Sequence, residues 1–305
     1  MGKSAGDLIT NSQTLTTPPT GAYWYLWDPS KAVGLRDQMI LKSDFDAYIG
    51  TLKAALRWSD LIGGICSPGT DSDHDIDITA GERRDSTDTA NIEFSSGTAA
   101  IDATFNAGTS TWGLYSGSSL SDGDTVHLFV VSIDAGGTGF YFDDDIGAAN
   151  LPSGCTYFRR LDSYRIATGP VLLPQTQDGH IITSSAPVAT YAVDLSGAQV
   201  TTATAFELPN VPKGITLNVS CAIGAIEADS QFIHIFGAGE EDYVPSSAAY
   251  TICTAPGADR GQTEIGAITN TDAQIYRRAA STANMTVLNV FAKSWYDSLG
   301  VFDGV

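Results

Sequence analysis

The sequence predicts a mainly β fold, and three observations carry that reading. Ile215 to Ile223 (ITLNVSCAI) alternates strictly between apolar and small or polar residues, the mark of a strand with one buried and one solvated face. Short β-branched and aromatic runs recur about every 10–15 residues from Asp75 onward, separated by Gly, Pro, Asn and Asp turns with almost no helical periodicity between them. The 31 glycines, with abundant Ser, Thr and Ala, suit strands joined by tight turns better than long helices. The class expected is therefore an N-terminal arm, one short helix, a β-rich shaft or shoulder module, and a C-terminal antiparallel β-sandwich of jelly-roll type. The boundaries are 1–42, 43–62, 63–182 and 183–305.

Taken in order, the arm is polar and interrupted by Pro18 and Pro19 until it reaches Tyr23, Trp24, Tyr25 and Trp27. Four aromatics in five residues form either a local plug or an anchor that docks against another protein, since Tyr and Trp are enriched at interface centres. Ser43 to Trp58 (SDFDAYIGTLKAALRW) places Phe45, Tyr48, Ile49, Leu52, Ala55 and Leu56 at spacings of three and four behind an N-capping Ser43 or Asp44, so a helix is expected. Beyond Gly63 and Gly64, strands are expected at Asp75 to Thr79, Asn91 to Phe94, Thr125 to Ile133, Phe140 to Phe142, Thr156 to Leu161 and Ser163 to Ala167. In the sandwich they are expected at Tyr191 to Val193, Ala205 to Leu208, Ile215 to Ile223, Gln231 to Phe236, Ala249 to Thr254, Thr263 to Ile268, Ala273 to Arg277 and Asn284 to Ala292.

Charge excludes several functions. With 16 basic and 35 acidic residues the formal net charge is −19, and no basic run exceeds a pair, so neither nucleic-acid phosphates nor an anionic membrane is an expected partner. The first ten residues lack the apolar core of a secretory signal, and no apolar stretch reaches the length of a membrane span, so membrane insertion is not expected. Cys66, Cys155, Cys221 and Cys253 lie far apart with no CxxC spacing, which fits reduced, buried small hydrophobes.

Chemistry-bearing constellations are few. Asp71, Asp73, Asp75 and Asp77 recur at every second position around His74, an oxygen-rich spacing that could cage calcium. An EF-hand loop beginning at Asp71 would need Gly where Ile76 stands, though Glu82 satisfies the twelfth position. If Asp75 to Thr79 is a strand, these carboxylates are simply its solvent face. No nucleophile elbow, zinc-protease helix or phosphate-binding lysine loop occurs, and the four histidines are isolated. No cofactor and no catalysis are expected, although paired carboxylates across a subunit interface, as in a glycan depolymerase, remain an alternative. Six of the ten arginines form the pairs Arg83–Arg84, Arg159–Arg160 and Arg277–Arg278, suited to neutralising carboxylates within the chain or on a neighbouring subunit.

The residues between Asp75 and Gly179 carry a resemblance. Ile78 to Asp85 (ITAGERRD), Ile92 to Phe94, Ile101-Asp102, Gly117 to Leu120, Asp124 to Phe129 (DTVHLF) and Leu151 to Leu161 (LPSGCTYFRRL) follow the order of β-rich modules in tail-fibre and related structural proteins of tailed bacteriophages. In that family an Ile-Thr strand end followed by Ala-Gly and Arg-Asp opens the module, and an LPxGYTxFRRIGS segment followed by a hairpin and glutamines closes it. Val126 stands where the family often has Tyr, and Leu161-Asp162-Ser163 departs from Ile-Gly-Ser. The resemblance covers about a third of the chain. It implies a homotrimeric virion-surface protein, assembled in the host cytoplasm, whose arm (Tyr23, Trp24, Tyr25, Trp27) docks on other virion proteins. A tail fibre or spike adhering to host surface glycan or protein is the leading expectation. A capsid-decorating head spike or connector is the alternative. Host contact is expected at the loops Gly237 to Ser247, with Glu240, Glu241, Asp242 and Tyr243, and Ala255 to Gln262.

Overall fold

The computed structural model describes the strands Tyr23–Trp27 and Asp37–Leu41 and, apart from 88, 108–110, 227–231, 247–251 and 254–260, residues 62–298. The chain divides into two compact units, Met1–Ser59 and Asp60–Val305. In the first, β1 (Tyr23–Trp27) pairs antiparallel with β2 (Asp37–Leu41), Tyr23 opposite Leu41 and Trp27 opposite Asp37. The expected helix at Ser43 to Trp58 lies outside the described residues.

The regular elements described in the second unit are strands apart from one four-residue helix. Its first half contains β3 (Ile62–Gly63), β4 (Cys66–Pro68), β5 (Asp75–Ile78), β6 (Gly81–Arg84), β7 (Asn91–Phe94), β8 (Gly97–Thr104), β9 (Gly113–Leu114), β10 (Thr125–Ile133), β11 (Thr138–Asp143), β12 (Cys155–Ala167) and β13 (Val171–Leu172). Eight of these form one sheet in the order β13-β12-β10-β11-β9-β8-β5-β4, while β3, β6 and β7 form a three-stranded sheet. The continuous apolar run of β10 is explained by its position. It is paired on both edges, by β11 and β12, and both its faces are buried. Val126, Leu128 and Val130 enter a core with Ile76, Ile101, Phe142 and Ile166, whereas Phe129 and Val131 enter a second cluster with Tyr141 and Phe105. The β8–β9 approach depends on Gly113, where a Cβ would lie 2.2 Å from the Ala103 carbonyl oxygen.

Two strands expected on either side of Asp162 are one strand, β12, of 13 residues. Its register against β10 slips between Leu128 and Phe129, which face Asp162 and Arg160, so Leu161 is an unpaired bulge residue. The bulge breaks the alternation that a reader of the sequence would follow, without ending the strand.

The second half contains β14 (Gln175–Asp178), β15 (Ile181–Ser184), the four-residue helix α1 (Val188–Tyr191), β16 (Val193–Asp194), β17 (Gly197–Ala198), β18 (Thr204–Glu207), β19 (Asn218–Ile226), β20 (Phe232–Phe236), β21 (Ile252–Cys253), β22 (Gly261–Ile268), β23 (Gln274–Ala279), β24 (Asn284–Met285) and β25 (Val287–Tyr296). One sheet runs β14-β15-β25-β19-β22 with β16 also on β25, and a second runs β18-β23-β20-β21. Leu217, Val219, Cys221, Ile223 and Ala225 alternate into the core, as expected, with Leu288 and Val290 beside them and Ile233, Ile235 and Ile275 from the second sheet. Two sheets sharing one apolar layer make this half a β-sandwich. The change of sheet falls between β13 and β14, ahead of residue 182, because the hairpin β14–β15 pairs with β25. Cys66 and Cys221 are free and buried, and burial pushes the Cys221 thiol up to about 12.

Candidate functional site

The outer face of the β18-β23-β20-β21 sheet gathers a set of side chains from strands and loop. In β20, Ile233 and Ile235 point into the core, so His234 and Phe236 point out; in β23, Ile275 and Ala279 point in, so Tyr276 and Arg278 point out. The register sets Phe236 opposite Tyr276 and His234 opposite Arg278, bringing all four together. After β20 the chain turns at Gly237, whose backbone passes so near β22 that a Cβ would lie 2.4 Å from the Ile268 nitrogen. Ala238 N–H then donates to the Ile268 carbonyl at 2.6 Å, anchoring the loop that carries Glu240, Glu241, Asp242 and Tyr243.

That loop folds back over the sheet. The Tyr243 ring stacks on His234 with centroids 3.8 Å apart, His234 stacks on Phe236 at 4.5 Å, and Phe236 on Tyr276 at 5.6 Å. Four rings therefore form one ladder, with Tyr243 half-buried at its outer end. Arg278 Nη1 donates to the Asp242 carboxylate at 2.9 Å and pins the loop beside the ladder. Glu240, Glu241, Asp242 and Val244 are exposed. Burial lowers the His234 pKa against the opposing pull of Glu240 and Asp242, which keeps the imidazole neutral at pH 7. Burial also raises the Tyr243 phenol, with Glu240 and Glu241 adding to the effect, so the hydroxyl stays a donor. His234 and Phe236 are buried inside the ladder, so the patch presents the partly exposed rings of Tyr243 and Tyr276, a phenolic hydroxyl, carboxylates and one guanidinium, a combination that recognises ligands by apolar contact and hydrogen bonding.

The other expected sites fare differently. Tyr23, Trp24, Tyr25 and Trp27 lie on β1, paired with β2. Asp71, Asp73, Asp75 and Asp77 do not converge: among the described residues no three or more His, Cys, Asp or Glu groups are placed to hold a metal ion. Asp71 instead accepts from His74 Nδ1 at 2.9 Å and from the Asp73 N–H at 3.3 Å, closing the turn before β5. Asp77 accepts from Thr98 Oγ1 at 2.5 Å across the strand pair. Ile76 and Ile78 are buried, so the alternation of β5 puts Asp75 and Asp77 on its solvated face, while Asp71 and Asp73 stay in the turn before it.

The polar residues that carry the phage-module resemblance are spent on contacts within the fold, with backbone or with buried side chains. Buried Arg83 donates to the carbonyls of Ile62 (3.2 Å) and Gly63 (2.7 Å), and Asp85 accepts from the N–H groups of Thr87, Thr89 and Ala90 at 3.0, 2.7 and 2.5 Å. Arg160 donates to both carboxylate oxygens of Asp297 at 2.6 and 2.7 Å and to Ser163 Oγ at 2.9 Å. At the β12 bulge, Gln177 donates to the Leu161 carbonyl at 3.2 Å and accepts from the Cys66 N–H at 2.8 Å, while Gln175 donates to Asp162 at 3.0 Å and to the Ser163 carbonyl at 3.1 Å. The glutamines after the hairpin thus satisfy polar groups that the bulge leaves without ladder partners. Burial pushes the Asp162 carboxyl up to about 7, against the lowering effect of its bonds from Ser163 and Gln175.

Sequence reading singled out Asp242 and Tyr243 as candidates but not the side chains they contact. His234, Phe236, Tyr276 and Arg278 each sit at the outward position of an alternating strand, which was a usable signal; their convergence needed the β20–β23 register. The arginine pairs split for the same reason. Neighbours on a strand face opposite ways, so Arg278 takes Asp242 while Arg277 donates to the Leu195 carbonyl at 2.9 Å.

No protein-family model matches this chain, and none of the curated proteins is a match to it.

Proposed function

We propose that this chain is a structural protein of a tailed-phage or phage-like particle, a trimeric tail fibre or spike whose terminal sandwich adheres to the host surface. The observation that carries adhesion is the ladder Tyr243–His234–Phe236–Tyr276 with its acidic loop on an outer face of that sandwich. The β-module resemblance supports the virion assignment, and the polar residues behind it pair with backbone and side chains across strands. Binding is the role that fits such a face: stacked rings give area at low entropic cost, and the Asp242–Arg278 pair fixes their orientation. Three copies on one axis would multiply a weak contact through effective concentration.

The test is a whole-cell pull-down with the purified full chain across a panel of bacterial strains, alongside its mass under native conditions. Retention on a subset of strains by a trimer is expected. A monomer, or uniform failure to bind any strain, overturns the reading.

A further inference from the structure

On the other sheet of the sandwich lies a second candidate. Between β15 and β16 the chain leaves the sheet, runs through α1 and returns, because β15 pairs with one end of β25 (Thr183 opposite Ser294) and β16 with the other (Asp194 opposite Asn289). The excursion walls a cavity of about 810 Å³ over the outer face of β25, β19 and β22, within the roughly 300–1,000 Å³ typical of small-ligand sites. Register places Ala222 opposite both Phe291 and Glu264, and Gly224 opposite Asn289, so these side chains share that face.

The lining is chemically specific. Ala222, Gly224 and Phe291 make a low apolar floor, and a Cβ at Gly224 would meet no atom within 4 Å. Val188 forms the apolar wall. The lining also holds Asn289 and the ion pair of Lys293 with Glu264, which together present amide, ammonium and carboxylate groups. A shallow apolar floor beside mixed donors and acceptors matches a ring with one C–H face and hydroxyls that both donate and accept around its edge. Lys293 is paired with Glu264, and the chain carries −19 overall, so the groove favours a neutral ligand over an anionic one. We infer that this groove binds a neutral pyranose ring of a surface saccharide, at a site separate from the Tyr243 ladder. Its use in host attachment rests on the adhesin reading above; the binding itself does not.

The experiment uses the full chain on an array of defined pyranose oligosaccharides, neutral, N-acetylated and uronic-acid-containing, with three variants. Gly224→Phe fills the floor, and since its Cβ points into open space the melting temperature should hold. Asn289→Ala removes one rim contact and is expected to weaken binding about tenfold. Glu93→Gln, on the exposed face of β7 and outside both the groove and the ladder, is the control. Binding to a neutral or N-acetylated sugar that Gly224→Phe abolishes and Glu93→Gln leaves intact is the expected result. Binding that survives both Gly224→Phe and Asn289→Ala, binding confined to acidic sugars, or no retention of any neutral sugar overturns the groove. In each of those cases strain-selective retention of the parent chain on whole cells leaves the adhesin reading standing, so the two failures are separable.

Discussion

Arg160 and Asp297 are 137 residues apart in sequence, yet the guanidinium meets both carboxylate oxygens at 2.6 and 2.7 Å with both side chains buried. The pair ties β12 of the eight-stranded sheet to the segment following β25 of the sandwich. Breaking a buried pair strands the remaining charge, at about 3–5 kcal/mol. Arg160→Met is therefore expected to lower urea-unfolding stability by that amount. Adding Asp297→Leu should restore much of the loss, because no charge is then left buried. A double-mutant cycle in which the second change brings no recovery contradicts this account.

The same joint makes a pH prediction. His127 lies beside it, with its Nδ1 2.8 Å from Ser163 Oγ, and burial, reinforced by Arg160, lowers its pKa from 6.5 to about 3. Over that interval the unfolded chain binds the proton and the folded chain does not, so His127 makes stability rise with pH up to about 6.5. Asp162 acts in the opposite sense: its folded pKa is raised from 3.8 to about 7, so the folded chain holds the proton and stability falls as pH rises through that window. The two slopes oppose each other between about pH 4 and 6.5. Relative to the parent, Asp162→Asn should leave stability rising more steeply with pH, and His127→Gln should leave it falling. Melting temperatures taken from pH 4 to 8 check both signs.

Gln177 shows what sequence could and could not reveal. Its position after a hairpin was visible as part of the resemblance, but its role depends on a bulge at Leu161 and on Cys66, 111 residues away. Local alternation carries no information about either. Gln177→Leu should cost about 2–6 kcal/mol, since two buried backbone groups lose their partners at about 1–3 kcal/mol each. Amide exchange at Cys66 should accelerate in this variant; unchanged protection there would remove Gln177 from the role.

Elements defined by local period were legible in the same way throughout. The alternation from Ile215 to Ile223 gave a strand face correctly, because burial on one side is imposed residue by residue. Asp71 to Asp77 left two readings open for a related reason: acids at every second position suit a solvated strand face as well as a metal loop, and the pairing of β5 with β4 and β8 puts Asp75 and Asp77 on a strand. The ladder was half legible, since Tyr243 and Asp242 lie in one loop while their partners come from two strands joined by register.

Within that ladder, Tyr243→Ala is expected to cut retention on susceptible cells at least tenfold while shifting stability by only about 0.5–1.5 kcal/mol, the scale of one aromatic pair. Tyr243→Phe keeps the ring and should keep the stack, so it separates stacking from hydrogen bonding by the hydroxyl. Equal losses in both variants would assign recognition to the hydroxyl. Unchanged retention in both would move host contact away from this face.

Two glycines test how tightly the β-module is closed. At Gly113 an added Cβ would sit 2.2 Å from the Ala103 carbonyl and 2.7 Å from that of Ala100, both backbone atoms that cannot swing aside. Gly136 has a positive φ of 100° but nothing within 4 Å of its Cβ position. Gly136→Ala therefore carries only backbone strain, about 1–2 kcal/mol, whereas Gly113→Ala must separate β8 from β9 and with them the edge of the core at Ile101. Thermal unfolding should rank Gly113→Ala well below Gly136→Ala, and a reversed order would mean that the parallel β8–β9 contact is not a fixed part of the sheet.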